Sequence, residues 1–207
     1  MNINIAQSAL NIVVLIYIIQ LLPQLWRTAS KASVSDLSTV MIRLIWVGWV
    51  MDVLYAKLAA MPVQYFVVSY LGLFQTMLWI LLLRTRKFFS TKEFLSFFTV
   101  VICVVASPLK WVMKLKFLPI LTIGQVCFWF CWISQLVRSL IQKSAQDISL
   151  LSMFLGAIGT VCSLVAGSVL GWEKQYIFNL MLVVFFHICI LAVLAYYRFY
   201  PKQNTSL

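Results

Sequence analysis

Acidic residues are scarce in this chain, with five Asp and Glu among 207 residues, and histidine occurs once. The seven glycines form no phosphate-binding loop, and the sequence suggests no Ser, His and Asp set. Acid–base, nucleophilic and metal chemistry each need several such groups in one place, so we expect no enzyme, metal site or cofactor. The five cysteines lie within apolar runs and are expected to pack as small polarizable side chains.

Charged residues of both signs make up only 10% of the chain, whereas 63% of residues are hydrophobic and the mean hydropathy is +0.99. Soluble domains are about half apolar and about a quarter charged. The composition therefore predicts an integral membrane protein in contact with a lipid bilayer. The net charge of +11 lies in the connections between apolar runs, which orients membrane proteins and does not indicate nucleic-acid binding.

The apolar runs are long enough to cross a bilayer, which takes about 20 residues of helix. Breaks in the runs coincide with charged residues, Pro62 or Gly171. We predict seven spans at roughly 5–26, 37–59, 64–84, 94–112, 118–138, 148–171 and 176–198.

An internal repeat relates two parts of the chain. The segment QLLPQLWRTASKASVSDLS at 20–38 aligns without a gap on CWISQLVRSLIQKSAQDIS at 131–149, an offset of 111 residues. The same register continues downstream, and shared polar or glycine positions at one offset are rare by chance in an apolar chain. A repeat of this length indicates two copies of one structural unit. The matched pairs include Gln24/Gln135, Arg27/Arg138, Ser33/Ser144, Asp36/Asp147, Ser38/Ser149, Gly48/Gly159, Gln64/Gln175 and Tyr65/Tyr176.

The repeat predicts how the spans are organised. Spans 1–3 form one three-helix bundle within 1–90, span 4 is a linker helix within 91–116, and spans 5–7 form a second bundle within 117–207. The extra crossing makes the two bundles parallel, related by an axis along the membrane normal. Eleven Lys and Arg residues follow the odd-numbered spans and five lie on the other side, so the N-terminus is predicted outside and the C-terminus in the cytosol.

One short motif carries a family resemblance. Leu22-Pro23-Gln24, followed by Lys31-x-Ser33 and Leu37-Ser38, resembles the PQ-loop family, which includes SWEET sugar transporters, cystinosin and lysosomal cationic amino-acid exporters. The resemblance implies seven helices in a 3+1+3 arrangement and transport of a small solute. The second copy departs from the motif with Ser134-Gln135, and the SWEET pattern of prolines in four helices is absent.

Pro23 and its repeat position are the candidate gate. Proline removes a backbone donor, so Pro23 is expected to kink or hinge span 1, with Gln24 satisfying the freed backbone groups. Ser134 and Gln135 are the matching gate residues, and Ser134 is expected to bend span 5 only weakly. The alternative is a static helix end.

Two aspartates and two arginines flank these positions. Asp36 and Asp147 precede the second and sixth spans and are expected to act as N-caps. Arg27 and Arg138 are candidates for ion pairs with these aspartates at a cytosolic gate, or for contacts with lipid headgroups.

Asp52 is the only acid well inside an apolar run. A carboxylate at that depth marks a site, a proton relay or an ion pair. We expect Asp52 to couple transport to protons or to capture a cationic group. The alternative is a salt bridge to Lys57 or Lys174. Because Ser163 occupies the matching place in the second copy, the coupling would be asymmetric.

Other polar and aromatic residues follow helical spacing and must point toward a partner or a wet cavity. His187 is near the middle of span 7, and Asn179 shares its face. The resemblance to SWEET proteins implies a substrate contact for Asn179. The predicted substrate-binding residues are Trp49, Ser69, Gln75, Thr76, Gln125, Trp129, Asn179 and His187.

These features favour a transporter of a small polar solute, such as an amino acid, with protons coupled through Asp52. One alternative is a sugar facilitator without proton coupling. Another is a non-transporting cargo receptor with a basic cavity for a peptide carboxylate. The candidate cavity lysines are Lys57, Lys110, Lys114, Lys116 and Lys174. A bacterial plasma membrane is favoured over a eukaryotic endomembrane because extended soluble tails are lacking.

Overall fold

The computed structural model describes residues 3–31, 34–106 and 117–199, with side chains in the last range from 120 onward. All regular secondary structure in these ranges is helical. The eight helices are α1 Ile3–Ile19, α2 Leu22–Ser30, α3 Thr39–Leu58, α4 Val63–Thr85, α5 Thr91–Ala106, α6 Phe117–Gln142, α7 Leu150–Leu170 and α8 Lys174–Phe199.

Within the described ranges, six segments are long and apolar enough to cross a membrane, with α1 and α2 counted together as one. Their outward faces carry large apolar side chains such as Leu15, Phe74 and Ile188, as expected for contact with hydrocarbon. The prediction of an all-helical fold is confirmed for this part of the chain, and by length and composition its long apolar helices are compatible with a multi-pass membrane protein. Helix α5 covers part of the predicted fourth span, and the rest of that span lies outside the described residues.

The first span is interrupted where proline was expected to disturb it. Helix α1 ends at Ile19, Gln20 and Leu21 form a turn, and Pro23 occupies the first turn of α2. Proline fits there because its missing N–H would lack an intrahelical partner in any case. Helix α6 continues unbroken through Ser134, so the two copies differ at this point.

Serines, not the expected aspartates, cap α3 and α7. Ser38 Oγ accepts a hydrogen bond from Met41 N at 3.2 Å, and Ser149 Oγ accepts one from Ser152 N at 3.3 Å. The prediction that Asp36 and Asp147 are N-caps is therefore wrong. Both serines have the extended backbone that an N-cap requires and directly precede the first helical residue, which leaves the aspartate carboxylates available for other partners.

The two parts of the repeat pack closely on each other. Helix α3 packs most extensively on α6, and α1 packs on α7. Glycines allow the close approach: a Cβ on Gly124 would lie 2.9 Å from Met51 Cβ, and one on Gly159 would lie 3.3 Å from Ile16 Cγ2. Small residues at such crossings are typical of membrane helices. The packing leaves an internal space between these helices.

We expect the Ser149→Ala variant to lower the free energy of unfolding by about 1 kcal/mol, because it removes the N-cap of α7. Thermal unfolding in detergent measures the change. Ser168→Ala alters an exposed serine of the same helix and is expected to shift stability by less than about 0.5 kcal/mol. Equal effects of the two substitutions would contradict the capping role.

Candidate functional site

A cavity of ≈ 160 Å³ lies between the helices of the two repeat copies. Helices α1, α3, α4, α6, α7 and α8 all contribute to its wall. Gln24 and Gln135 bound it at one end, called here the glutamine end. Tyr55, Tyr65 and Tyr176 bound it at the other, the tyrosine end. All five side chains are buried, so both ends are closed by protein.

The cavity brings together most of the predicted substrate-binding residues. Ser69 is the exception, since it is fully buried behind the wall and bonds to Asp52. The residues of the prediction that line the cavity are Trp49, Gln75, Thr76, Gln125, Trp129, Asn179 and His187, together with Asp52. Solute binding by these residues stays a prediction.

Asp52 is held by hydroxyl groups. Tyr65 donates a short hydrogen bond to Asp52 Oδ1, and Ser69 Oγ donates to Oδ2 at 2.5 Å. Lys57 instead donates to the carbonyl of Val104 at 2.8 Å. The alternative of a salt bridge between Asp52 and Lys57 or Lys174 is therefore wrong in this structure. Lys57 is five residues after Asp52 on α3, so the two side chains lie on different faces of the helix, and the Lys57 side chain extends toward α5.

The tyrosine end is a packed aromatic cluster. The rings of Tyr55 and Tyr176 are stacked with centroids 5.6 Å apart, and Trp172 meets Tyr65 edge-on at 5.4 Å. Tyr65 and Tyr176 hydroxyls lie 2.7 Å apart. These two residues were matched as repeat mates in the sequence but received no functional role. The repeat register was the signal that could have found them, because it assigns both phenols to equivalent positions.

A second polar region of the cavity wall is formed where α7 and α8 meet the break in span 1. The Nδ1 atom of His187 is 2.8 Å from the carbonyl oxygen of Val183, so Nδ1 carries the proton and Nε2 is left as an acceptor. A Cβ placed on Gly156 would lie 2.9 Å from that Nε2 and 2.7 Å from Gln20 Nε2. The missing side chain at Gly156 thus leaves room for both polar groups. Sequence reasoning missed Gln20 because it lies at the helix break.

Several polar atoms of cavity-lining residues are buried and have no partner within the described residues. Such groups are rare in native proteins and call for an explanation such as a bound polar molecule. The donors are Gln125 Nε2 and Trp129 Nε1, and the acceptors are Gln20 Oε1, Gln125 Oε1, Asn179 Oδ1 and His187 Nε2.

Two glutamines close the glutamine end by reaching across to the other copy. Gln24 Nε2 donates to the carbonyl of Asp147 at 2.8 Å, and Gln24 Oε1 accepts from Ser149 N at 2.7 Å. Gln135 forms the same pair, donating to the carbonyl of Asp36 at 2.9 Å and accepting from Ser38 N at 2.9 Å. The expectation that Gln24 satisfies its own helix is wrong, since its amide completes the backbone bonding of the opposite copy.

The aspartates also reach across, but not to the arginines. Asp147 Oδ2 accepts from Asp36 N at 2.8 Å, and Asp147 Oδ1 pairs with Lys31 at 2.6 Å. Arg27 bonds to the carbonyl of Gln146, and Arg138 bonds to that of Ser35. The predicted arginine–aspartate ion pairs are therefore absent from the described residues. Backbone carbonyls take the guanidinium groups because the carboxylates already bond to backbone amides.

Side chains from two other helices donate hydrogen bonds to the backbone carbonyls at the break in span 1. Gln75 Nε2 on α4 donates to the carbonyls of Tyr17 at 2.5 Å and Ile18 at 3.2 Å. Ser152 Oγ on α7 donates to the carbonyl of Gln20 at 2.5 Å. The amide nitrogen of Gln75 therefore holds the helix break, which leaves only its oxygen for a solute.

Comparison with protein-family models, with characterised proteins and with solved structures finds no match to this chain. Neither a family nor a relative therefore assigns an activity. The cavity, the Asp52 carboxylate on its wall, and the buried glutamines and tyrosines at its ends are the features from which a function is inferred.

We expect Gln24→Ala and Gln135→Ala each to lower the free energy of unfolding by about 1–3 kcal/mol, because each leaves a buried backbone N–H and carbonyl unpaired. Thermal unfolding in detergent measures the loss. The control Gln142→Ala removes an exposed amide that bonds to the Ser35 carbonyl at 3.1 Å, and its effect is expected to be smaller. A loss in the control as large as in the two variants would contradict the closing role of the glutamines.

Proposed function

We propose that this protein is a transporter of the PQ-loop type that moves a small, amine-bearing polar solute, such as an amino acid, across a membrane. The main support is the cavity between the two copies, whose wall carries one carboxylate and a set of unpartnered polar atoms. Pockets of this kind are typical binding sites for small molecules. The solute would bind midway between the two ends.

Contacts between repeat mates support two three-helix bundles related by an axis along the membrane normal. Tyr65 bonds to Tyr176, and the Asp147 carboxylate bonds to the backbone of Asp36, each across the offset of 111 residues. Residues that meet their own repeat mate lie on or near the relating axis. Parallel repeats of this kind occur in known transporters. The excess of Lys and Arg after the odd-numbered spans supports an outside N-terminus and a cytosolic C-terminus.

The two closed ends suit alternating access. Opening the glutamine end requires Gln24 and Gln135 to release the helix starts of the opposite bundle, and opening the tyrosine end requires Tyr65 and Tyr176 to part. The break before Pro23 offers a joint about which α2 can move. Because α6 is continuous, the first bundle is the more mobile one in this proposal.

Charge on the cavity wall favours a solute with an amine. Asp52 is the only acid among the described residues that line it, and no Lys or Arg does so. The rings of Trp49, Phe128 and Trp129 supply aromatic faces, which attract cations. The unpartnered donors on Gln125 and Trp129 lie on α6 in the same wall, and they suit the carboxylate of an amino acid.

Size sets a limit on the solute. A cavity of roughly 150 Å³ holds a molecule about as large as benzene. The observed ≈ 160 Å³ therefore accommodates a small metabolite and is too small for a folded or extended peptide. A cargo receptor also needs basic residues in its cavity, but the Lys57 side chain bonds to a carbonyl of α5 and Lys174 is exposed. The other candidate lysines, Lys110, Lys114 and Lys116, lie outside the described residues. A sugar would match the unpartnered polar atoms but gives Asp52 no role.

Proton coupling through Asp52 belongs to the same proposal. An ionised carboxylate in an apolar bundle is stabilised by binding either a cation or a proton. A cationic amine and a proton can therefore compete for Asp52, or its protonation can change the affinity for the solute. Ser163 is its repeat mate, so the second bundle provides no acid at the corresponding position.

We expect proteoliposomes on a solid-supported membrane to give a solute-dependent current that grows under an inward proton gradient. A panel of amino acids and sugars at two pH values identifies the solute class. The current should vanish in Asp52→Asn, because the coupled carboxylate is gone, and persist in Glu173→Gln, which removes an exposed acid near the same end. Full pH-driven current in Asp52→Asn would contradict proton coupling through Asp52. Current from sugars alone would support the alternative of a sugar facilitator.

We expect Asn179→Leu to raise the half-saturation constant for that solute about tenfold, since loss of one hydrogen bond to a charged group weakens binding by about 1.5 kcal/mol or more. Asn179 Oδ1 is buried and unpartnered on the wall. Uptake at varied solute concentration gives the constant. Gln175→Leu removes an exposed amide one turn away and should leave it unchanged. An unaltered constant in Asn179→Leu would remove Asn179 from the binding site.

A further inference from the structure

A continuous chain of hydroxyl groups leads from the tyrosine end to Asp52. Tyr176 belongs to the second copy, and its hydroxyl is 2.7 Å from that of Tyr65 in the first copy. Tyr65 in turn donates to the Asp52 carboxylate. Tyr65 and Tyr176 are each the third residue of their helices, so both side chains are attached near the end of a helix.

The direction of this chain follows from the number of protons available. An ionised carboxylate only accepts hydrogen bonds, so Tyr65 uses its single proton on Asp52. The oxygen of Tyr65 can then only accept, and Tyr176 must donate to it. All hydrogens thus point toward Asp52, which is the order a proton transfer toward the carboxylate requires.

We propose that Tyr176 and Tyr65 form a proton relay that delivers protons from the tyrosine end to Asp52. A hydronium ion at the tyrosine end gives its proton to the Tyr176 oxygen and leaves as water, while the proton that Tyr176 carried moves to the Tyr65 oxygen. The proton that Tyr65 carried moves to Asp52 Oδ1, so each phenol forms one O–H bond and breaks one. Asp52 gains one proton, both tyrosines remain neutral, and the two hydrogen bonds of the chain now point the other way.

Burial explains why a relay is needed. Tyr55 stacks on Tyr176 and Trp172 packs against Tyr65, so the cluster separates Asp52 from water at this end. Only 9% of the Tyr176 surface is exposed, and that residue lies beside the exposed Lys174 and Gln175 at the start of α8. The relay lets a proton reach Asp52 while the cavity stays closed to solute. It also depends on both copies, because separation of Tyr65 from Tyr176 interrupts it.

Besides Tyr65 and Tyr176, the titratable groups that interact with Asp52 are phenols, Tyr17 on α1 and Tyr55 on α3. Helix α8 carries the one base that lines the cavity within the described residues, His187, which lies beside Gly156 and Gln20 at the break in span 1. Helices α6 and α7 line the cavity without an acid or a base. Of the charged side chains near this end, Lys57 bonds to the α5 carbonyl of Val104, Glu173 lies near the Tyr55 phenol, and both Glu173 and Lys174 are exposed.

The relay deepens the proposed function and rests on it, but its test needs no solute. Infrared spectroscopy of the reconstituted protein after a rapid drop in pH follows the carbonyl band of protonated Asp52, assigned by its absence in Asp52→Asn. We expect Tyr176→Phe and Tyr65→Phe to slow the appearance of the band about 10²-fold, the scale of a lost positioned proton carrier. Thermal unfolding checks that each variant is folded, and Tyr176→Phe, which leaves the direct bond to Asp52 intact, is the decisive one.

Two controls separate relay from structure. Tyr70→Phe removes a half-buried phenol from α4 that does not line the cavity, and the rate should stay that of the unmodified protein. Ser69→Ala removes a hydrogen bond to Asp52 without touching the relay, and should change the pH at which the band appears but not its rate. An unchanged rate in Tyr176→Phe would overturn the relay and leave transport standing. A missing Asp52 band would overturn both the relay and proton coupling, whereas solute transport is decided separately by the current measurement.

Discussion

Backbone groups inside a bilayer have no water to bond with, so each must find a partner within the protein, and this requirement shapes the whole bundle. The turn at Gln20 and Leu21 leaves carbonyls that Gln75 and Ser152 satisfy from neighbouring helices. The exposed N–H groups at the starts of α3 and α7 are satisfied partly by Ser38 and Ser149 and partly by glutamines from the opposite copy. Because the glutamines supply their share of this bonding from the opposite copy, the same contacts complete the helix starts and bound one end of the cavity.

The same requirement for hydrogen-bond partners applies to the Asp52 side chain. A carboxylate in this environment needs donors, and the structure supplies two hydroxyls and no cation. Hydroxyls stabilise the ion and can also exchange protons with it, whereas a lysine partner would hold it permanently charged. The choice of Tyr65 and Ser69 over Lys57 therefore leaves Asp52 able to gain or lose a proton, which the proposed coupling requires. A structural ion pair would not have that property.

Sequence reasoning found the helices, the break near Pro23, the buried acid and seven cavity residues, because these depend on hydropathy, proline chemistry and helical spacing. It failed where the outcome depends on how helices are placed against each other. The cap prediction chose Asp36 and Asp147 by charge, but the cap is decided by which residue has extended backbone directly before the helix. Other contacts can be known only once the helices are packed together. They are the partners of Gln24 and Arg27 in the opposite copy, the bond from Lys57 to α5, and the contact between Tyr65 and Tyr176.

The repeat has not diverged evenly, and the pattern bears on what the cavity holds. Most positions that close the ends keep the same residue in both copies, as with Gln24/Gln135, Asp36/Asp147, Ser38/Ser149 and Tyr65/Tyr176, and Tyr55, whose mate is Ala166, is an exception. Positions on the cavity wall differ, since Asp52 faces Ser163 in the alignment and His187 faces Thr76. Closing contacts between mates need matched partners on both sides of an axis. A wall that carries an acid on one side only and an imidazole on the other suits a single solute with unlike ends, bound in one orientation.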